Sequence, residues 1–141
     1  MEVKIKKLHN DAIIPTYAKN GDAGMDLTCV EMESIDYDLI KYKTGISVEI
    51  PKGYVGLCFP RSSVYKTGQM LSNCVGVIDS GYRGEISFNY YNVDSDIKGM
   101  YGVGDRIGQL IIIPYSQIEF KEVDELSETE RGEGGFGSTG K

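Results

Sequence analysis

The 141-residue sequence is long enough for one domain with a modest core, and its composition, 40% hydrophobic and 26% charged, is ordinary for a soluble globular protein. The net charge of −6 argues against broad binding to nucleic acid or anionic membranes, and no apolar run reaches membrane-spanning length. The single histidine, His9, argues against a histidine-based zinc site or a Ser-His-Asp triad, so we expect any catalytic base to be a carboxylate.

Alternating apolar and polar residues predict β-strands along most of the chain. In chain order, the segments are VKIK (3–6), ISVEI (46–50), YVGLCF (54–59), EISFNYYNV (85–93), RIGQLIII (106–113) and IEFKEV (118–123). RIGQLIII is so apolar that we expect both faces to be buried, in a central strand or a subunit interface. Many short strands at close spacing predict an all-β sandwich or barrel.

The segment SSVYKTG predicts a short helix. Ser62 or Ser63 can cap its N-terminus, and Gly68 can supply the left-handed residue after its end. A helix that begins beside Arg61 would point unpaired amides toward an anion. A serine cap without a ligand fits the same letters equally well.

Each of the four arginines lies in a glycine- or serine-bearing segment. They are Arg61 in PRSS, Arg83 in GYRGE, Arg106 in GDRIGQ and Arg131 in RGEGG. A guanidinium fork suits bidentate contact with phosphate or carboxylate. An ordinary ion pair is the better interpretation of any one of them, but four together favour an anion site.

Two aspartates are candidates for chemistry. Asp79 follows the apolar pair Val77-Ile78 in a glycine-rich hairpin, whose main-chain groups could read the edge of a flat heterocycle, and Tyr82 could offer its ring to a sugar. The alternatives are a turn aspartate and a core tyrosine. Asp26, in AGMDL, precedes a predicted strand and is by default a turn residue.

The C-terminal residues RGEGGFGSTGK have little to bury, so we expect a mobile arm (127–141) beside a β domain (1–126). Three cysteines form no CxxC pair, and the N-terminus lacks the apolar core of a signal peptide. These features predict a cytoplasmic protein whose thiols are small core residues.

Five segments, AGMDL, PRSSV, GVIDSGYRGE, GDRIGQL and RGEGGFGSTG, resemble in letters and order the five motifs of the homotrimeric dUTPases, and they span nearly the whole chain. The resemblance implies a jelly-roll-like β-fold and a homotrimer with three active sites at subunit interfaces. The implied reaction is hydrolysis of dUTP to dUMP and pyrophosphate, which keeps uracil out of DNA and supplies dUMP for dTMP synthesis.

The resemblance also implies a role for each matching residue. Asp79 would be the general base that activates water for attack on the α-phosphorus, and Tyr82 would pack under deoxyribose and exclude a 2′-hydroxyl. The residues expected to read uracil are Asn73, Gly76, Val77 and Ile78. Those expected to contact phosphate are Gln109 and, from a neighbouring subunit, Arg61, Ser62 and Ser63.

In the arm, the resemblance implies that Phe136 stacks on uracil, that Arg131 meets the γ-phosphate, and that Gly137, Ser138 and Thr139 add donors. Mg²⁺ would be held chiefly by the phosphates and by waters, which Asp26 would support. Arg83 and Arg106 would serve subunit packing or hold the surroundings of Asp79 and Asp26.

Two positions depart from the family pattern: Gly81, where an acidic residue is frequent, and Gly108, where alanine is common. One alternative is a dCTP deaminase, but the position of its catalytic glutamate holds Asn89, which cannot act as an acid or base. The other alternative is a non-enzymatic trimeric module that binds nucleotide or a partner protein.

Overall fold

A computed structural model of the chain describes residues 1–93, 99–135 and 137. The strands are β1 (Lys4–Lys7), β2 (Met25–Thr28), β3 (Glu31–Ser34), β4 (Leu39–Lys43), β5 (Ile46–Glu49), β6 (Tyr54–Phe59), β7 (Gln69–Leu71), β8 (Gly76–Ile78), β9 (Ser87–Asn92) and β10 (Arg106–Pro114). A 3₁₀ helix (Ser62–Lys66) lies between β6 and β7. The predicted all-β, jelly-roll-like fold is confirmed.

Two four-stranded antiparallel sheets enclose the core. Their strand orders are β2-β10-β6-β8 and β3-β4-β9-β7, and β1 and β5 form a separate two-stranded ladder. Between the sheets, the buried rings of Tyr42, Phe88, Tyr90 and Tyr101 lie 5.6 to 6.3 Å apart by ring centroid. These rings fill the core on the side of the β3-β4-β9-β7 sheet, and the Tyr90 hydroxyl reaches the other sheet by donating to the Ile107 carbonyl at 2.7 Å.

One buried polar side chain, that of Gln69, joins three parts of the core. Its Oε1 accepts hydrogen bonds from the Tyr42 hydroxyl and the Tyr101 amide, both at 3.2 Å, and its Nε2 donates to Asn92 Oδ1 at 2.8 Å. Because a buried amide is costly unless it is paired, these bonds fix the relative positions of β4, β7 and β9. Sequence reasoning did not anticipate this role for Gln69.

Five of the six predicted strands are confirmed, and YVGLCF matches β6 residue for residue. β10 is a central strand, paired with β2 on one side and β6 on the other. Ile107 and Leu110 are buried, but Ile113 is 40% exposed. The expectation of burial on both faces therefore holds only for the first part of β10.

The predicted strand IEFKEV (118–123) is wrong for the chain that the structure describes. No strand occurs in the described residues after Pro114, and Ile118 and Phe120 are 68% and 90% exposed. Alternation is a local signal, whereas a strand also needs an edge to pair with and a surface to pack on, and this segment has neither within its own chain.

The predicted short helix is present, but its expected serine cap is wrong. Arg61 occupies the N-cap position without a side-chain hydrogen bond, and Ser62 and Ser63 lie inside the helix. Gly68 follows the helix with φ +63°, as predicted. Five residues of 3₁₀ helix supply little dipole, so the expected pull on an anion must come from side chains.

The three cysteines are free thiols, as predicted, but only Cys29 and Cys58 are core residues. Burial raises the pKa of Cys58 to about 12 and that of Cys29 to about 11. Cys74 is exposed, at φ +59°, and corrects the expectation that all three lie in the core. In the described part of the chain, no helix has the length and apolarity needed to span a bilayer.

Candidate active site

The register of three strands aligns the residues of one half of the site. Gln109 of β10 pairs with Asp26 of β2 on one side and with Phe59 of β6 on the other. Asp26 thus lies within β2 and not before it, which corrects the sequence expectation. Because Arg61 follows Phe59 by two residues, the chain brings it back over Asp26.

Asp26 binds two of the four arginines. Its Oδ1 accepts from Arg61 Nε, and its Oδ2 accepts from Arg106 Nη1, each at 3.0 Å. The Asp26 and Arg61 side chains are only 24% and 26% exposed. One carboxylate between two guanidinium groups leaves a net positive charge, so the arrangement attracts an anion. It also confirms that Arg106 holds the surroundings of Asp26.

A cleft of about 370 Å³ opens beside this charge cluster. Its lining residues are Ala18, Asp22, Ala23, Gly24, Asp26, Arg61, Ser62, Gln109 and Ile111. Of the four residues outside the arm that are predicted to contact phosphate, Arg61, Ser62 and Gln109 therefore share one cleft, whereas Ser63 does not line it. We call Arg61, Ser62 and Gln109, together with Asp26 in the same cleft, the phosphate half-site.

The position of Gln109 in the cleft depends on Gly24. Gln109 Nε2 donates to the Pro60 carbonyl at 3.4 Å. A Cβ on Gly24 would lie 2.5 Å from Gln109 Oε1, well inside contact distance. The glycine of AGMDL thus leaves room for the Gln109 amide, a function that sequence reasoning missed.

Asp79 and Tyr82 lie elsewhere, at the end of β8. Asp79 is exposed, and its carbonyl accepts from the Tyr82 amide at 3.0 Å, which closes a turn. Tyr82 is 44% exposed, so it is not a core aromatic, and its hydroxyl donates to the Glu85 carbonyl at 3.0 Å. We call Asp79, Tyr82 and β8 the base half-site.

The segment before Asp79 is not the hairpin that we expected. β7 belongs to one sheet and β8 to the other, so residues 72–75 cross between sheets. β8 is the last strand of its sheet and pairs with β6 alone among the described strands. Its outer edge, at Gly76, Val77 and Ile78, has main-chain donors and acceptors available to a ligand. Val77 is 61% exposed, and Asn73 is exposed beside Gly76.

Arg83 closes the loop that follows Asp79. Its Nη1 donates to the carbonyls of Ser80 and Tyr82 at 2.7 and 2.8 Å. The Arg83 carbonyl accepts from Ser47 Oγ at 2.7 Å, which ties the loop to β5. Arg83 therefore holds the surroundings of Asp79, one of the two roles expected for it.

The two half-sites lie apart in a single chain. Ile78, next to Asp79, pairs with Gly56, whereas Arg61 follows the opposite end of β6. Arg61 lies five positions after Gly56, which corresponds to about 16 Å of extended chain. Asp79 and Arg61 therefore belong to separate parts of the surface of one chain.

The described part of the arm contacts neither half-site. Arg131 is exposed, and its Nε donates to the Gly134 carbonyl at 3.0 Å, within the arm itself. Gly137 is exposed with φ +85°. Phe136, Ser138 and Thr139, which we expected to contact substrate, lie outside the described residues.

The donor set fits a magnesium ion only indirectly. In residues 1–93, 99–135 and 137, no three His, Cys, Asp or Glu side chains form a metal-binding group. Each Asp26 oxygen accepts one arginine hydrogen bond and keeps capacity for another. The chain therefore fits a cation held by substrate oxygens and waters, with Asp26 in contact through water.

Comparisons with known proteins agree with one another. A sequence model of the dUTPase family matches residues 10–140. The deoxyuridine 5'-triphosphate nucleotidohydrolase of Hydrogenobaculum sp. (strain Y04AAS1) is 41% identical over 143 residues, covering 99% of each protein. The Staphylococcus bacteriophage 80alpha dUTPase with dUPNHPP superposes with a TM-score of 0.85 at 32% identity, covering 99% of this chain and 98% of that one.

A third comparison concerns the metal. A mutant dUTPase from phage phi11 of S. aureus, whose structure reveals the coordination of a structural Mg(II) ion, has a TM-score of 0.76 at 28% identity. The match covers 89% of this chain and 98% of that one.

Proposed function

The chain belongs to the dUTPase family, and we propose that it hydrolyses dUTP to dUMP and pyrophosphate at a site shared between neighbouring copies of itself. The observation that carries the shared site is the separation of the half-sites. One holds a carboxylate, a ring and a strand edge that no described strand covers. The other holds a cleft lined by Arg61 and Asp26, and Asp26 also binds Arg106 beside the cleft. Their chemistries are complementary, and only a second copy can unite them.

A homotrimer is the assembly we propose. A closed ring lets every chain present its base half-site to the phosphate half-site of the next, which leaves no half-site unused. The exposed segment 118–123 is available for contact with a neighbour. A ring of three chains would hold three equivalent centres.

In the reaction, Asp79 orients a water and takes its proton while the water oxygen attacks the α-phosphorus. The bond from that phosphorus to the α,β-bridging oxygen breaks, and pyrophosphate leaves with the electron pair. A carboxylate at the exposed end of a strand suits this role, since it can reach the water without rearrangement of the core. General-base catalysis of this kind contributes about 10²–10⁴-fold to the rate.

The phosphate half-site neutralises the charge of the triphosphate. Arg61 is held by Asp26 before substrate arrives, and Ser62 and Gln109 add donors in the same cleft. Mg²⁺, when bound to the phosphates, supplies further neutralisation of their charge. Asp26 is the residue that would hold its waters.

Specificity for the nucleoside belongs to the base half-site. The outer edge of β8, with Asn73 beside it, would read the uracil edge through main-chain groups. Tyr82, partly exposed next to Asp79, would lie against the deoxyribose and leave no room for a 2′-hydroxyl. The expected product, dUMP, is the precursor of dTMP, and removal of dUTP keeps uracil out of DNA.

The arm, residues 127–141, would close over the assembled site. Phe136 would stack on uracil, Arg131 would meet the γ-phosphate, and Gly137, Ser138 and Thr139 would add donors. Glycine allows the backbone to approach phosphate closely, and closure excludes water from the reaction. In the described residues, Arg131 is exposed and bonded only within the arm, so it is available for this movement.

Neither alternative function gains support. At the position of the deaminase glutamate, Asn89 lies exposed on β9 opposite Lys41, where it offers no acid or base. If the chain were a non-enzymatic module, the placement of Asp79 beside the outer edge of β8 would serve no function. We also propose that the enzyme works in the cytoplasm, since its three cysteines are free thiols.

Co-assembly of two inactive variants tests the shared site. Asp79→Asn and Arg61→Ala chains are each expected to release almost no pyrophosphate from dUTP. Refolded together in equal amounts, they should recover about a quarter of wild-type activity, because one site in four combines the intact Asp79 of one chain with the intact Arg61 of another. The control is Asp79→Asn with Asp79→Ala, which no arrangement can rescue.

Absence of recovery, in mixtures shown by native mass spectrometry to contain hybrid oligomers, would place both residues in the site of one chain and overturn the proposal. A fully active monomer would overturn it as well.

A further inference from the structure

We propose that Gly84 and the main-chain carbonyl of Glu85 form a seat for the Tyr82 ring, and that this seat sets the preference for deoxyribose over ribose nucleotides. The inference rests on the proposed function and extends it to two residues that contact Tyr82 instead of substrate. They are positioning residues.

The first observation is the space over Gly84. A Cβ on Gly84 would lie 2.9 Å from Tyr82 Cε2 and 2.5 Å from Cζ, and it would also overlap the hydroxyl oxygen. Gly84 is not among the glycines with positive φ, so its backbone does not require glycine. The missing side chain is therefore what matters here, because the ring occupies its place.

The second observation is the hydrogen bond made by the Tyr82 hydroxyl, at the far end of the ring. The Tyr82 hydroxyl donates to the Glu85 carbonyl at 3.0 Å. That carbonyl is itself fixed, because Glu85 Oε1 accepts from the Gly45 amide at 2.7 Å. The far end of the ring is thus tied to the link between β4 and β5, in the body of the fold.

The third observation is the hold on the Tyr82 main chain. Arg83 Nη1 donates to the Tyr82 carbonyl at 2.8 Å, and the Tyr82 amide donates to the main-chain carbonyl of Asp79 at 3.0 Å. Backbone, ring face and hydroxyl are each fixed, yet the side chain is 44% exposed. An exposed tyrosine held at three points contributes little to the core, so its fixed position serves a ligand.

To reject a nucleotide that carries one additional oxygen atom, the Tyr82 ring must be rigid. A ring that could move aside would admit a 2′-hydroxyl at small cost, whereas a seated ring cannot yield without losing its contacts. Displacement of a positioning group by about 1 Å can cost as much as 10²-fold in rate. By holding the ring in place, the seat allows the contact between Tyr82 and the sugar to distinguish deoxyribose from ribose.

The test compares dUTP with UTP in purified full-length variants. Gly84→Ala should keep its fold, because the three atoms nearest to the added methyl all belong to the partly exposed Tyr82 side chain, whose displacement from the seat leaves the core intact. The ratio of kcat/KM for dUTP to that for UTP should fall by about tenfold or more. Gly81→Ala is the matched control: it lies in the same loop, without positive φ, and its Cβ would meet nothing within 4 Å, so the ratio should not change.

Two further variants separate the seat from a general loss of stability. Tyr82→Phe keeps the ring and loses the bond to Glu85, so its ratio should fall between those of wild type and Tyr82→Ala. Gly84→Ala added to Tyr82→Ala should change the ratio no further, since the ring that needs the seat is gone.

An unchanged ratio in Gly84→Ala, or equal effects of Gly84→Ala with and without the Tyr82 ring, would overturn the seat. If Gly84→Ala fails to fold, a wild-type ratio in Tyr82→Phe overturns it. These outcomes leave dUTP hydrolysis standing, whereas a wild-type protein that releases no pyrophosphate from dUTP would remove the proposed function itself.

Discussion

Arg61 Nε lies 3.0 Å from Asp26 Oδ1, so an aspartate 35 positions earlier in the chain fixes the guanidinium that faces the cleft. The other carboxylate oxygen holds Arg106. A long side chain held in place before substrate binds loses less conformational entropy on binding. Asp26 thus holds two arginines in place, and under the proposed function it would also hold waters around Mg²⁺.

Asp26→Asn should lower kcat/KM for dUTP by about 10- to 100-fold, mainly through KM, because the amide cannot hold two guanidinium groups. Steady-state kinetics at several Mg²⁺ concentrations checks this, and excess Mg²⁺ should not restore the rate. Asp22→Asn is the control. It lines the same cleft, but among the described residues its carboxylate accepts a hydrogen bond from the Lys19 amide alone. Equal effects of the two variants would contradict the role given to Asp26.

Gly108→Ala should destabilise the fold by about 1–3 kcal/mol through overpacking. A Cβ at this position would overlap the Phe88 ring and lie 3.0 Å from the Phe59 carbonyl. This is the position where alanine is common in the family, so the large ring of Phe88 gives a physical reason for glycine here. Urea unfolding of the variant measures the cost.

Phe88→Leu added to Gly108→Ala should recover part of the loss, since the smaller side chain vacates the space. Gly102→Ala is the control, because its Cβ would meet Asp105 Oδ2 at an ordinary 3.7 Å. Additive losses from Gly108→Ala and Phe88→Leu would show that the two residues do not compete for the same volume.

Stability should fall above about pH 9. Burial raises the pKa of the Cys58 thiol from 9.0 to about 12, so between these values the unfolded chain loses a proton that the folded chain keeps. The Cys58 contribution is complete below pH 9 and is lost as the pH rises toward 12. Its slope approaches about 1.4 kcal/mol per pH unit.

Urea unfolding at pH 8, 9 and 10 measures this slope. Cys58→Ala should make it shallower, whereas Cys74→Ala, at an exposed thiol, should leave it as in wild type. Identical slopes in all three proteins would exclude Cys58 as a source of the loss.

Alternation of apolar and polar residues predicted the strands that have such a pattern in their own sequence. Alternation located β1, β5, β6, β9 and β10, each with a face toward the core. It did not locate β3 and β4, which contain charged residues, or β7 and β8, which have three residues each. It wrongly predicted a strand at 118–123, because no local signal shows whether a partner edge exists.

For the candidate site too, sequence reasoning succeeded with local features and failed with those that depend on distant residues. The letters around Asp26, Arg61 and Asp79 were enough to make these residues candidates, since each motif is a short local segment. Their placement depends on sheet register over tens of residues, so the arginine pair on Asp26 could not be read from the sequence. Gly24 and Gly84 were missed because a glycine that makes room for another side chain leaves no signal of its own.

The distance between Asp79 and Arg61 bears on how newly made protein gains activity. If the site is shared as proposed, a chain that has folded without a neighbouring copy would hold the two half-sites apart and would be inert toward nucleotide. Turnover per molecule would then rise with abundance and collapse on dilution, so the concentration of the protein itself becomes a control on the nucleotide pool.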